Sequence, residues 1–362
     1  MSKKIVIKIG TGVITDENGK LDEEVVSSIV SQVCALLRKG LDVLLVSSGA
    51  IGAGMGLLGK DKRSNNLAEL QSMASIGQVH LMDVYNKYFK KNKYHAGQIL
   101  LTQEDFDNRQ RFLNMKYTIN TLLKHNAVPV INENDTISTD EIKCGDNDRI
   151  SALVADVVEA DMLIILTTVD GLLDEKGKTV KAVDIIDKDI HKLIRQEKTK
   201  HGTGGMATKL EAADFATKAG IECVFANGKK KNKIIKVIEG KQGCYTRFKV
   251  KASGVKAKKR WIGFTSKVKG ILVLDKGASQ AVRKNNKSLL AAGVKDVSGT
   301  FKSGDIVSIV DQKDKEIARG MTNYTSKEIS KIKGVKTSEI NKVLGYKDHD
   351  EVIHKDNLVI VN

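Results

Sequence analysis

The sequence predicts an α/β fold, a three-layer αβα sandwich with a mainly parallel sheet, followed by a small, mostly β C-terminal domain. In residues 1–226, short apolar runs alternate with longer amphipathic runs. Strands that alternate with helices pair in parallel, and strands that are apolar on both faces belong to a sheet covered by helices on both sides. After residue 227 the chain changes to Lys- and Gly-rich segments with short alternating runs, which are typical of a separate β domain.

The length and period of each run predict the individual elements. Short runs rich in Ile, Val and Leu are predicted strands at residues 4–9, 42–47, 96–101, 127–132, 162–167 and 221–226. Longer runs with apolar residues at helical spacing are predicted helices at residues 21–39, 65–91, 109–125, 146–158 and 208–219. In the second part, turn signals separate predicted strands at residues 270–274, 305–310 and 316–320, and a small helix is predicted near residues 278–285.

Composition excludes several classes of protein. The longest apolar runs, such as residues 162–166, are far too short to span a membrane, and the N-terminal run at residues 5–7 is too short for a signal peptide. The chain has four cysteines, Cys34, Cys144, Cys223 and Cys244. They form neither a Cys-x-x-Cys pair nor a His/Cys cluster, so neither a disulfide framework nor a zinc site is expected. We therefore expect a cytoplasmic protein without a membrane span.

The net charge of +16 is concentrated in the C-terminal part. Residues 227–362 carry 31 Lys and Arg against 13 Asp and Glu, whereas residues 1–226 carry 29 against 31. A basic surface attracts nucleic acid without sequence preference. The excess is mostly Lys, however, and aromatic residues make up only 4% of the chain, so platforms for base stacking are scarce. We expect this part to serve oligomerisation or regulation, with RNA binding as the alternative.

Small and polar residues follow four of the predicted strands. These segments are residues 8–12, 47–54, 132–135 and 167–171. In open parallel sheets, ligands bind in the crevice at the carboxyl ends of the strands. The sequence therefore predicts one binding crevice built from several strand ends.

A glycine-rich segment at residues 201–209 precedes one predicted helix. Its three glycines, two threonines and lysine suit a loop whose N–H groups approach phosphate oxygens. A Walker loop is excluded because Leu210, not Ser or Thr, follows Lys209. A dinucleotide fingerprint is disfavoured because residues 190–197 resemble a helix rather than a strand. The segment alone is compatible with another kind of phosphate loop or with a flexible connector.

Two lysines and an amide-rich region indicate the chemistry of the crevice. Lys8 at a strand end and Lys209 at a helix start would converge on the glycine loops and neutralise phosphoryl charge. Residues 131–136 and 145–149 are rich in Asn and Asp, which together with Ser48 can hold the ammonium and carboxylate of an amino acid. The same residues also fit an Asx-rich turn followed by an N-capped helix.

Five linked motifs resemble the amino acid kinase family, and within it the glutamate kinases. The motifs are residues 8–12, 46–51, 129–135, 145–148 and 202–209. The C-terminal segments 259–261, 298–305 and 343–346 are similar to a PUA domain. The resemblance implies a catalytic domain at residues 1–245, a basic linker at residues 246–265 and a PUA-like domain at residues 266–362. It also implies ATP-dependent phosphorylation of the side-chain carboxylate of L-glutamate, the first step of proline biosynthesis.

The resemblance implies roles for particular residues. Lys8 and Lys209 would contact the transferred phosphoryl group, and Asp148 would hold the two lysines in place. Glutamate would be bound by four residues, Ser48, Asn132, Asp135 and Asn147. The ATP site would be lined by Lys8, Gly10, Thr167, Thr168, Thr203, Gly204, Gly205, Met206, Ala207, Thr208 and Lys209. The phosphates of ATP rather than protein side chains would hold Mg²⁺.

The chain departs from the family pattern after the fifth predicted strand. The family pattern has Thr-Asp there, whereas this chain has Thr167-Thr168, with the acidic residue shifted to Asp170. The adenosine contacts of Thr168 and Asp170 are therefore expected to differ from those of the family.

Parts of the sequence are also compatible with other functions. Aspartate, acetylglutamate and uridylate kinases share the fold and its phosphate loops, so substrate identity depends on the region around residues 132–135. Gly54-Met-Gly-Leu-Leu-Gly59 matches a dinucleotide motif but lies away from a strand end, which disfavours an NAD enzyme. The resemblance further implies feedback inhibition by L-proline and a homodimer or homotetramer.

Overall fold

The computed structural model describes residues 2–137, 147–194, 205–241, 243, 245–250, 262–263, 268–285 and 287–361. Side-chain positions are described within these ranges except at residues 109, 194, 284 and 285. The chain divides into two compact units, Met1–Gly254 and Val255–Asn362.

An eight-stranded sheet forms the centre of the first unit. Its strands are β1 (Lys4–Ile9), β2 (Asp42–Ser47), β3 (His95–Leu101), β4 (Ala127–Glu133), β5 (Met162–Thr167), β6 (Ala182–Val183), β7 (Glu222–Asn227) and β8 (Tyr245–Phe248). Their order across the sheet is β3-β4-β2-β1-β5-β7-β8-β6. The pairs from β3 to β7 are parallel, whereas β7 and β8 are antiparallel. The mainly parallel sheet predicted from the alternating runs is confirmed.

Helices connect these strands. They are α1 (Thr11–Ile14), α2 (Glu23–Arg38), α3 (Ala50–Leu57), α4 (Leu67–Lys91), α5 (Gln103–Asp107), α6 (Arg109–Lys124), α7 (Asn147–Val157), α8 (Lys188–Ile194), α9 (Met206–Lys218) and α10 (Lys233–Ile238). Every strand and helix predicted for this unit is present, with bounds within two residues of the prediction.

Side chains alternate along a strand, so every second residue faces the same layer of helices. Ile5, Ile7 and Ile9 of β1 pack into a core with residues of α2, α3, α4 and α10. Successive side chains of a strand point to opposite faces, so Lys8 points to the other side of the sheet. That side is covered by α6, α7 and α9, which pack on the sheet. The central strands β1 and β5 are buried on both faces, as their continuous apolar runs predicted.

Helix α3 was not predicted, because its sequence is rich in glycine. Gly49 begins the helix with φ of 101°, a left-handed conformation that glycine adopts without strain. Inside α3, Gly54 lies against α4 so closely that an added Cβ would be 2.0 Å from the Met73 carbonyl oxygen. Close packing of two helices thus stabilises a segment of low helix propensity.

Strand β8 includes the first residues of the predicted basic linker, residues 246–265. Its pairing with β7 joins residues 245–248 to the sheet of the first unit. Residues 251–261 and 264–267 of the predicted linker lie outside the described residues.

The second unit contains a five-stranded sheet in the order β10-β9-β11-β12-β13. The strands are β9 (Gly270–Leu274), β10 (Val294–Gly299), β11 (Ile306–Val310), β12 (Glu316–Met321) and β13 (Leu358–Ile360). The helices are α11 (Lys276–Asn285), α12 (Ser326–Ile332) and α13 (Ile340–Leu344). Apart from the parallel pair of β9 and β11, the pairs are antiparallel. This unit has its own apolar core, so the predicted small, mostly β domain is confirmed.

Candidate active site

A buried cluster of three charges lies on the α7–α9 side of the sheet. Nζ of Lys8 is 2.6 Å from Oδ1 of Asp148, and Nζ of Lys209 is 3.2 Å from Oδ2 of the same carboxylate. The exposed fractions of the three side chains are 5% for Lys8, 0% for Asp148 and 9% for Lys209. Two ammonium groups and one carboxylate leave a net charge of +1, which suits an anionic ligand.

Three elements bring these charges together. Lys8 is the second-last residue of β1, Asp148 lies in the first turn of α7, and Lys209 lies in the first turn of α9. A carboxylate near a helix N-terminus is stabilised by the free N–H groups and the helix dipole. The first turns of α7 and α9 therefore both face the carboxyl end of β1, as expected for a parallel sheet.

Thr208 adds a hydrogen bond to the cluster. Its Oγ1 donates to Oδ2 of Asp148 at 2.8 Å and also lies 2.9 Å from the Gly205 carbonyl oxygen. Nζ of Lys209 lies 3.5 Å from the same carbonyl oxygen. The beginning of α9 is thus fixed to the carboxylate by two consecutive side chains.

The environment shifts the acidity of the cluster. Burial raises the pKa of Asp148, but the opposite charges of Lys8 and Lys209 outweigh burial, so the pKa lies below its ordinary value. Burial, assisted by repulsion from Lys8, lowers the pKa of Lys209 despite the attraction of Asp148. Asp148 is therefore a permanent anion at neutral pH and is not suited to act as a general base.

Three of the four residues predicted to bind glutamate are hydrogen-bonded to one another. Nδ2 of Asn147 donates to Oγ of Ser48 and to Oδ1 of Asn132, each at 3.0 Å, and lies 3.3 Å from the Ser47 carbonyl oxygen. Oδ1 of Asn147 is buried and has no hydrogen-bond partner in the described part of the chain. An unpaired buried acceptor is costly unless a ligand supplies a donor.

Asp135, the fourth predicted residue, lies in the turn that follows β4 and is half-buried. Arg63, in the segment between α3 and α4, is close enough for its charge to interact with this carboxylate. The structure therefore places Asp135 near a basic side chain.

Gln78 of α4 is a site residue that the sequence analysis missed. It is buried, and its Oε1 accepts a hydrogen bond from Nδ2 of Asn132 at 2.9 Å. A signal was available, because Gln78 lies on the face of the predicted helix that also carries Met73, Ala74 and Leu81. A polar residue among apolar positions at helical spacing indicates a buried hydrogen bond.

The first glycine loop lies beside the residues that follow β5. The N–H group of Gly10 donates to the Leu166 carbonyl oxygen at 3.3 Å, and a Cβ added to Gly12 would be 3.1 Å from Cγ2 of Thr168. Asn227 donates to the Thr168 carbonyl oxygen at 3.0 Å. The carboxyl ends of β1 and β5 thus bring together the predicted ATP residues Gly10, Thr167 and Thr168.

The second glycine loop is described only from Gly205 onward. Gly205 is the N-cap of α9 in an extended conformation, and Met206, Ala207 and Thr208 form the first turn of the helix. The predicted ATP residues Thr203 and Gly204 lie outside the described residues. Asp170, the shifted acidic residue, forms an ion pair of 2.6 Å with Lys230.

Comparison with known proteins identifies the family. The model of the amino acid kinase family matches residues 3–227, which include both lysines of the charge cluster. The chain belongs to the amino acid kinase family. The model of the PUA domain matches residues 270–344, within the second unit. The resemblance that the five motifs suggested is confirmed.

Relatives within the amino acid kinase family match along the whole chain. "Glutamate 5-kinase" from Thermoanaerobacter sp. (strain X514) is 47% identical, and the match covers 99% of this chain and 98% of the relative. "Glutamate 5-kinase" from Caldanaerobacter subterraneus subsp. tengcongensis is 46% identical with the same coverage. Among solved structures, carbamate kinase from Giardia lamblia bound to AMP-PNP is 18% identical, with a TM-score of 0.49 over 69% of this chain and 99% of that chain.

The dinucleotide-like motif at residues 54–59 serves helix packing in this kinase. A Cβ added to Gly77 of α4 would be 1.9 Å from the Ala50 carbonyl oxygen and 2.3 Å from the Gly54 nitrogen. Glycine is therefore needed at Gly54 and Gly77 for contact between the two helices. Gly54, the first glycine of the motif, thus has a structural explanation in the packing of α3 against α4.

Other predictions concern composition. Cys34 and Cys223 are buried free thiols, and burial raises the pKa of Cys34 to about 11, while Cys144 and Cys244 lie outside the described residues. Of the helices that are described, none is long and apolar enough to cross a membrane.

Proposed function

We propose that this protein transfers the γ-phosphoryl group of ATP to the side-chain carboxylate of L-glutamate, giving L-glutamate 5-phosphate and ADP. The buried cluster of Lys8, Asp148 and Lys209 is the observation that carries the proposal. Two lysines held by one carboxylate offer positive charge at a fixed position, which is what a phosphoryl group needs during its transfer. The relatives named glutamate 5-kinase support the choice of substrate.

The reaction requires no general base. A glutamate side chain has an ordinary pKa of about 4.3 and is already ionised at neutral pH. One carboxylate oxygen forms a bond to the γ-phosphorus while the bond from that phosphorus to the β,γ-bridging oxygen breaks, and ADP leaves with the electron pair. No proton is transferred, so the enzyme contributes alignment and neutralisation of charge.

The lysines and the carboxylate have different roles in this scheme. Lys8 and Lys209 neutralise the charge of the transferred phosphoryl group, and Asp148 holds both ammonium groups in position. Because Asp148 has no exposed surface and a lowered pKa, it keeps its negative charge throughout the cycle. Its proposed role is therefore positional, not chemical.

The proposed amino-acid site is the hydrogen-bonded group of Ser48, Asn132 and Asn147. The unpaired Oδ1 of Asn147 is an acceptor for the α-ammonium of glutamate, and Ser48 supplies a hydroxyl group for the α-carboxylate. Asn132 holds Asn147, and Asp135 adds a carboxylate at the rim of the site. The same groups would accept L-proline, which carries an α-carboxylate and a secondary ammonium, as a competitive feedback inhibitor.

ATP is proposed to bind along the two glycine loops. One side of the proposed ATP site is formed by Gly10, Thr167 and Thr168. The other side is formed by the first turn of α9, from Gly205 to Lys209. The free N–H groups of this turn are suited to phosphate oxygens. Mg²⁺ would enter with ATP and reduce the repulsion between its phosphates. The proposed location is the cytoplasm, because the reaction consumes ATP.

An acyl phosphate assay tests the activity. Purified protein is incubated with Mg-ATP, hydroxylamine and one of four substrates, glutamate, aspartate, N-acetylglutamate or UMP. Hydroxylamine converts an acyl phosphate into a hydroxamate, which is detected by a colour reaction. ADP release is followed in parallel, because transfer to UMP gives no acyl phosphate. We expect hydroxamate with glutamate in excess of the other substrates. Activity only with a substrate other than glutamate would overturn the proposal.

We propose that the second unit has a role in oligomerisation or regulation. Its PUA domain lies in the part of the chain that carries the surplus of lysine, and we propose that it supports a homodimer or homotetramer or regulates the kinase. Nanomolar, sequence-selective RNA binding at physiological salt would instead favour the alternative.

A further inference from the structure

A chain of four amide side chains runs from the edge of the sheet to the proposed amino-acid site. Nδ2 of Asn147 donates to Oδ1 of Asn132 at 3.0 Å, Nδ2 of Asn132 donates to Oε1 of Gln78 at 2.9 Å, and Nε2 of Gln78 donates to Oε1 of Gln98 at 2.9 Å. Gln78 belongs to α4, and Gln98 belongs to the edge strand β3. Each of the three hydrogen bonds is thus donated in the same direction, from the site toward the sheet edge.

Two backbone groups fix this direction. The N–H group of Glu133 donates to Asn132 at 2.9 Å, so the atom of Asn132 that receives it must be the oxygen. The Ser47 carbonyl oxygen lies 3.3 Å from Asn147, so the atom of Asn147 that faces it must be the nitrogen. Since backbone groups cannot exchange donor and acceptor, the direction of the chain cannot be reversed locally.

The direction decides which atom Asn147 presents to a ligand. With its nitrogen turned to Ser48 and Asn132, its buried Oδ1 is the remaining atom and has no partner among the described residues. The N–H group of Glu133 holds the oxygen of Asn132, and the remaining atom, its buried nitrogen, needs an acceptor of its own. Gln78 is the side chain that supplies the acceptor, at a position that is 9% exposed.

We infer that Gln78 is a positioning residue for amino-acid recognition, which fixes the amides of Asn132 and Asn147 so that Oδ1 of Asn147 meets the substrate ammonium. The inference rests on the proposed function of this site. Gln98 completes the arrangement, because its oxygen orients the amide of Gln78 from the exposed end of the chain. A substitution that removes the acceptor leaves the buried nitrogen of Asn132 unpaired, so that only the backbone contact with Glu133 orients its amide, and part of the orientation must then be restored on binding.

Gln78→Met tests the inference, since methionine has a similar length but no strong acceptor. We expect KM for glutamate to rise about tenfold, while kcat and KM for ATP change less than about twofold, because the buried nitrogen of Asn132 loses its acceptor. Competitive inhibition by glutarate, which lacks the ammonium group, should stay within about twofold of the wild type. Val79→Met, at a neighbouring exposed position of α4, is the matched control and should behave like the wild type.

Gln98 supplies a second test at an exposed position, where folding is not at risk. Gln98→Glu retains the acceptor oxygen for Gln78 and should preserve KM for glutamate, whereas Gln98→Met should raise it about threefold. Unchanged KM for glutamate in Gln78→Met, or equal losses with glutamate and glutarate, would overturn the inference. Failure of the wild type to form hydroxamate from glutamate would instead overturn the proposed function, so the two failures are distinguishable.

Discussion

Asp148 and Lys8 form a buried ion pair of 2.6 Å that joins the beginning of α7 to the end of β1. The same carboxylate accepts Lys209 from α9, so one side chain determines where both lysines lie. Removing one member of a buried ion pair leaves an uncompensated charge and is therefore strongly unfavourable. The excess of positive charge makes the cluster a favourable place for an anion, which relates its geometry to phosphoryl transfer.

Lys209→Met is expected to lower kcat by about 100-fold, because one of two groups that neutralise the transferred phosphoryl charge is lost. KM for glutamate should change little, because Lys209 lies outside the Ser48–Asn147 group. The hydroxamate assay measures both constants. Lys218→Met, in the exposed last turn of the same helix, serves as the control and should retain wild-type activity. A full kcat in Lys209→Met would contradict the proposed role.

Asp148→Asn should move the alkaline limb of the kcat profile to lower pH. The carboxylate attracts the protonated form of Lys209 and raises its pKa, so removing that charge lowers the pKa of Lys209 further. Lys209 then loses its proton, and its function, at a lower pH than in the wild type. The measurement is kcat at saturating substrates from about pH 6 to pH 10. A limb that stays in place would show that Lys209 is not the group responsible.

At acid pH, protonation of Asp148 should not limit the stability of the wild-type enzyme. Its pKa is lowered, so the carboxylate remains charged when the pH falls to the ordinary aspartate pKa of about 3.9. The stability that it contributes is present above that value and is lost as the pH falls through its lowered pKa. Urea unfolding of wild type and Asp148→Asn between about pH 4.5 and pH 6, below the range in which Lys209 loses its proton, should therefore give a constant difference. A difference that shrinks within this range would contradict the lowered pKa.

Thr208→Val should reduce kcat by about tenfold, since it removes the hydroxyl that donates to Oδ2 of Asp148 at 2.8 Å. Thr208→Ser keeps that hydroxyl and is expected to recover most of the activity. Steady-state kinetics of the two variants give the comparison. Equal losses in both would indicate that the methyl group, not the hydrogen bond, is what the site requires.

Gly54→Ala should lower the free energy of unfolding by about 1–3 kcal/mol, because its Cβ would lie 2.0 Å from the Met73 carbonyl oxygen and force α3 from α4. Gly56→Ala, two residues along the same helix, is the control. There the nearest atom is Cβ of Lys20 at 3.6 Å, so alanine should be neutral or stabilising by up to about 1 kcal/mol. Urea unfolding measures both, and a neutral Gly54→Ala would refute the packing explanation.

The fold was largely predictable because its signals are local. The central strands β1, β2 and β5 contain continuous apolar runs, whereas the edge strand β3 contains His95, Gly97 and Gln98, and the two-residue β6 carries no such signal. Helix α3 was missed, because glycine-rich sequence has low helix propensity and only contact with α4 stabilises it. The antiparallel strand β8 was missed too, because pairing across the sheet depends on distant residues.

The sequence by itself determined which side chains could form the site. The strand-end position of Lys8, the amide-rich region after β4 and the glycine loop before Lys209 are all visible in the linear chain. The resemblance to the family implied that Asp148 would hold both lysines, and the structure brings these side chains into contact. The contact between Gln78 and Asn132 emerged from the tertiary structure alone, because it joins residues 54 positions apart. Hydrogen-bond direction and buried charge depend on such distant neighbours, which no local pattern records.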